Sequence, residues 1–175
     1  VTTLRTSDGK APPLLPVARK LHDERIALMK AGRSHEYDAS KRCQPKGDPR
    51  TGYEGQLFDI VQNKEAIFIG HTWNRMVRFA YAREKHLAGR VPSYYGNWIS
   101  RWDDDTLVLD GTGFNDTTLL DAAGLPHSSE LRVVQRLTMR DAGRQMDIHT
   151  TFEDAKTFTH PWTALHHYPR VPGAS

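Results

Sequence analysis

The stretch Gly96–Asp116, GNWISRWDDDTLVLDGTGFND, most constrains the fold. Asn97–Trp102 alternates bulky residues in the way a pleated surface requires. Asp103-Asp104-Asp105 supplies the corner, because short acidic side chains bond their own backbone and tolerate left-handed geometry. Thr106–Asp110 is the return strand, so the unit predicts a β-hairpin. An aspartate closing an apolar strand needs a partner or a function, since an unpaired carboxylate is costly to bury.

Similar patterning recurs along the chain. Leu57–Val61 and Ala66–Gly70 flank a corner at Gln62–Glu65. Asn74–Tyr81 places Arg75, Val77, Phe79 and Tyr81 on one face and Asn74, Met76, Arg78 and Ala80 on the other. Leu131–Arg140 and Arg144–Phe152 turn at Asp141-Ala142-Gly143, and Trp162–Tyr168 is the last strand. Upstream, residues 1–15 read as an extended surface arm. Residues 16–31 read as one amphipathic helix with Val17, Leu21 and Leu28 on its stripe, stopped at Gly32. The expectation is a single all-β domain over residues 1–175. Its antiparallel eight-stranded barrel, of calycin or lipocalin-like form, occupies residues 56–168 and carries one N-terminal helix. Such a barrel holds internal side chains or one small ligand.

A chain of 175 residues buries roughly 70% of its unfolded surface and needs no staples. Cys43 is the single cysteine, so no intrachain disulfide forms, and no motif surrounds it. A net charge of +3, without a long basic run, argues against nucleic acid. No apolar run reaches membrane-spanning length. Gly111-Thr112-Gly113 lacks the third glycine and the helix of a dinucleotide loop, and no P-loop or nucleophile elbow occurs. The nine histidines show no H-x-x-x-H or H-x-x-E-H spacing, so no metal site is assigned. No cofactor site is expected.

The remaining chemistry is a set of polar groups interrupting apolar strand faces. These include Asp110, Gln135 and Arg75. His149 shares its strand face with Asp147, Thr151 and Glu153. A few oriented polar groups among apolar walls are what a ligand pocket needs. The expected activity is cofactor-free acid–base chemistry of isomerase, lyase or hydratase type on a small apolar or aromatic molecule. Asp110 or His149 would be the base, and Arg75 or Tyr81 would stabilise developing charge. His71, His127, Gln135, Trp98 and Phe79 would line the substrate site. The alternatives are a non-catalytic carrier of a hydrophobic ligand and an interaction module with a filled core. Nothing fixes the oligomeric state; a homodimer through a sheet face or the 1–15 arm is one reading.

Trp102–Asp116, WDDDTLVLDGTGFND, resembles the pattern W-E-G-D-T-L-V-V-D-T-x-G-F-N-D of a large family of uncharacterised exported bacterial proteins. Further likeness lies in His127-Ser128 with Leu131-Arg132-Val133, and in Glu153-Asp154 followed by Pro161-Trp162-Thr163. Asp104 stands in place of a turn glycine, Gly111 in place of a threonine, and Gln135 where a glutamate is usual. The last departure puts in doubt a role that needs a carboxylate on that strand. The resemblance implies a periplasmic or secreted protein with its signal removed. It implies no particular activity.

Overall fold

The computed structural model describes residues 3–54, 57–72 and 76–172. Eight strands form one sheet in sequence order: β1 Phe58–Gln62, β2 Ala66–His71, β3 Val77–Ala82, β4 Asn97–Asp103, β5 Thr106–Thr112, β6 Arg132–Arg140, β7 Gln145–Glu153 and β8 Trp162–Pro169. The tight corners follow from local chemistry. Asn63 Oδ1 accepts from the amides of Glu65 and Ala66 between β1 and β2. Asp104 takes φ 49° between β4 and β5, and Asp141, Ala142 and Gly143 all take positive φ between β6 and β7.

Two features overturn the closed antiparallel barrel. First, β3 and β4 run parallel, through Ala80–Trp98, Tyr81–Ile99 and Ala82–Ser100. Residues 83–96 therefore form a crossover, so the sheet is mixed. Second, the sheet curls through 226° and stops, leaving its edges 10 Å apart. Strand pairing needs about 4.8 Å, so β1 and β8 cannot share hydrogen bonds at that spacing. Side chains span the gap instead. The Phe58 and Tyr168 rings meet edge to face at 5.2 Å, and Tyr168 Oη donates to the Gly52 carbonyl at 2.8 Å.

Register fixes which residues look into the trough. Ile69–Arg78, Ile67–Ala80, Ala80–Trp98, Trp98–Gly111, Leu109–Gln135, Gln135–Thr150 and Thr150–Ala164 are successive cross-strand neighbours. At one end, Val133, Phe152 and Trp162 join a buried cluster with Leu4, Leu14, Phe114, Leu120, Leu125 and Phe158. The loop after β5 and the N-terminal arm thus fill that end of the trough. The expected free surface arm is instead pinned. Leu4 N donates to Asp121 Oδ2 at 2.9 Å, Ser7 N to the Thr163 carbonyl at 2.7 Å, and Leu14 bridges to Phe158.

The helix α1, Pro16–Lys30, starts on its proline and ends with the Gly32 amide bonded to the Met29 carbonyl and that of Arg33 to Leu28. Its expected stripe is displaced: Val17 is 83% exposed, and Ala18 is the helix's buried residue. The face toward the protein runs Ala18, His22, Arg25, Met29. It docks through Arg25, whose Nη1 donates to the Gly124 carbonyl. A second short helix, α2 Arg50–Tyr53, buries Arg50, Thr51 and Tyr53, so the helical complement exceeds the one helix expected.

Candidate functional site

Alternation puts Arg78 and Ala80 of β3 inside and leaves Val77, Phe79 and Tyr81 outside. A guanidinium at 4% exposure requires a charged partner, because desolvation otherwise outweighs any gain from burial. Asp48 supplies it: its carboxylate takes two charge-assisted bonds, from Nε at 2.6 Å and Nη2 at 2.8 Å. Nη1 donates to Gln135 Oε1 at 2.6 Å. The flat face of the guanidinium lies 4.3 Å from the Trp98 ring centroid. Trp98 is itself fixed, with Nε1 bonded to the Tyr95 carbonyl at 2.7 Å and its ring lying against Gly111.

Asp48 comes from the irregular segment between α1 and β1. A second buried ion-pair network anchors that segment. Arg50 grips Asp38 through two bonds of 2.9 and 3.0 Å and reaches Glu54 at 2.8 Å, and Lys46 also pairs with Glu54. Asp48 N donates to the Tyr94 carbonyl, which ties the segment to the β3–β4 crossover.

A half-open pocket of about 170 Å³ lies where β3 and β4 diverge at the start of their short parallel pairing. The Arg78–Trp98 stack contributes to its lining. Phe79, Tyr81, Leu87 and Tyr95 supply aromatic and apolar walls, and Arg83, Arg90 and Asn97 add polar groups. Arg83 sits 5.0 Å from the Tyr81 ring centroid. Burial, reinforced by the Asp48 charge, raises the Tyr95 pKa.

A run of rings crosses the gap between the sheet edges: His71 on Phe58, Phe58 on Tyr168, Tyr168 on His166, His166 stacked on Tyr53 at 4.6 Å. Among the described residues, both His71 nitrogens and His166 Nδ1 are buried without a hydrogen-bond partner. Burial lowers the pKa of both histidines. For His71 the Asp48 charge offsets this only in part.

The residues expected from sequence separate into three groups. Trp98, Gln135 and His71 lie on the concave face and are buried. Asp110, His149, Tyr81 and Phe79 lie on the convex side by alternation. Asp110 is held by Arg132 at 2.7 and 3.1 Å, with His86 at 3.4 Å. Burial alone would raise its pKa, but the Arg132 bonds and charge outweigh it and the carboxyl falls below its usual range. His127 is enclosed in the loop after β5, where Nδ1 donates to the Ser128 carbonyl and Nε2 faces Thr118 Oγ1 at 2.8 Å. Arg75 lies outside the described residues. Asp110, His149 and Tyr81 thus share the convex face, with Tyr81 and Asp110 each opposite Ile99 in the register, and the Asp110 carboxylate is engaged by Arg132.

Sequence reasoning missed Arg78, Asp48, Tyr53 and Tyr95. Among the described residues, no group of three or more His, Cys, Asp or Glu side chains is placed to hold a metal ion. No helix among them is long and apolar enough to cross a membrane. Comparison with protein-family models, curated proteins and solved structures yields no match.

Proposed function

We propose that this protein binds a small, largely apolar molecule without transforming it, at the pocket over the Arg78–Trp98 stack. One observation carries the reading: Phe79, Tyr81, Leu87 and Tyr95 wall a pocket beside the rigid, internally satisfied Arg78–Trp98 pair. Binding sites are built this way, with apolar walls and a few fixed polar groups. The donors of Arg78 are engaged by Asp48 and Gln135, so the arginine offers a flat surface rather than a reactive group. The volume suits a compact guest: an engineered apolar cavity of about 150 Å³ accepts benzene.

The test is a thermal-shift screen with single-ring compounds, repeated on Leu87→Ala and Tyr95→Ala. A ligand at about 100 times its Kd stabilises the fold by about 2.7 kcal/mol, enough to raise Tm by several degrees. The expected result is stabilisation of the parent that both variants weaken, with the compound recovered unchanged. Absence of a shift across the panel would remove the reading, and turnover of the compound would replace it with a catalytic one.

A further inference from the structure

The pocket's hydrogen-bonding groups are unbalanced. Among its described lining residues Arg78, Arg83 and Arg90 are cationic, and none is Asp or Glu. Arg78 is neutralised from behind by Asp48. Neither Arg83 nor Arg90 has a carboxylate partner among the described residues, and both are exposed beside the pocket. The Asn97 amide nitrogen is buried with no acceptor among the described residues. Donors thus outnumber acceptors beside the rings of Phe79, Tyr81 and Tyr95.

We infer that the ligand is a single-ring aromatic carboxylate, its ring held among the aromatic walls and its carboxylate met by Arg83 and Arg90. This rests on the small-molecule reading above and specifies its ligand class. A planar guanidinium meets a carboxylate with two parallel bonds and stacks on rings. The volume of about 170 Å³ is close to that of a one-ring site and below the range of roughly 300 Å³ upward usual for larger ligands. Selection for one ring and one anion follows from the two limits together.

Titration calorimetry with benzoate, benzamide and cyclohexanecarboxylate, at low and high salt, separates the parts. Benzoate is expected to bind about tenfold more tightly than either neutral benzamide or the non-aromatic acid, and to weaken as salt rises. Arg83→Gln with Arg90→Gln is expected to bring benzoate affinity down to that of benzamide measured on the same variant. Both substitutions are at exposed positions, and circular dichroism checks that the fold is retained. Equal binding of benzoate and benzamide overturns the anion assignment while leaving the small-molecule reading in place. Equal binding of the two acids overturns the aromatic assignment. Binding of none overturns both the inference and the reading beneath it. Benzoate binding that survives both arginine replacements and Tyr95→Ala places the site elsewhere and overturns the inference.

Discussion

Arg78 and Asp48 form a charge pair at 4% and 0% exposure. Removing one member leaves the other charged and buried, at a cost of about 3–5 kcal/mol. Arg78→Met should therefore lower the unfolding free energy in urea by about that much. Arg78→Met with Asp48→Leu should recover most of the loss, because the double change removes the stranded charge. Recovery of less than half would place the stability in the pair itself. His71 makes a separate prediction. Its pKa is lowered from 6.5 by burial, so the unfolded chain binds the proton first as pH falls. Stability is complete above the unfolded value of about 6.5 and declines as pH drops toward the folded pKa. His127 and His166 act in the same direction. The ion-paired carboxyls of Asp38 and Asp110, lowered from 3.8, lose their contribution only at more acidic pH. His71→Leu should flatten the upper part of the stability profile. It should also stabilise the protein at pH 8, because the two buried, unpartnered nitrogens disappear. A steeper profile in the variant would show that His71 is not the titrating group.

At the scale of elements, the β4–β5 hairpin positions the Arg78–Trp98 stack through one missing side chain. A Cβ on Gly111 would come within 2.8 Å of three indole carbons of Trp98. The backbone conformation of Gly111 is not the constraint; the ring beside it is. Gly111→Ala should displace Trp98, cost about 1–3 kcal/mol and weaken binding in the pocket, both measurable by denaturation and calorimetry. Unchanged stability together with unchanged binding would show that the ring has room to move. Sequence alternation was sufficient to locate this hairpin and the strands around it, because each carries a period of two. It misassigned β3. Val77, Phe79 and Tyr81 are more apolar than Arg78 and Ala80, and the expected site residues Tyr81 and Phe79 were drawn from that face. In the fold those three are 40–47% exposed, while Arg78 turns inward to a carboxylate on a loop that has no periodic signal. The parallel step left a readable sign in the length of segment 83–96. Hairpin loops run about two to five residues, whereas parallel crossovers need roughly a dozen or more. Asp110 stood out as a carboxylate closing an apolar strand and was expected as a base; its partner Arg132 lies on β6, and only register brings them together.

Across the whole molecule, pairing is unevenly distributed. β6 and β7 pair continuously from Arg132–Glu153 to Arg140–Gln145, and β7 with β8 from Gln145–Pro169 to Phe152–Trp162. The arm and the loop after β5 join the buried cluster beside Val133, Phe152 and Trp162. By contrast, β1 is an edge strand exposed at four consecutive positions, and β3 meets β4 through three pairs alone. Local opening follows such differences, and ligand sites are drawn from the less stable end. Native-state hydrogen exchange should therefore show two tiers. The central amides of β5–β7 exchange only with global unfolding, while those of β1–β3 open at a lower free energy. Because the pocket spans the β3–β4 joint, a bound ligand should slow exchange in β3 and the start of β4 while leaving β6 and β7 at their global limit. Equal protection of β1 and β6 in the free protein would contradict the two tiers. Ligand-induced slowing that is uniform across the sheet would mean that β1–β3 opens together with the rest, so that the joint is not an independent point of weakness.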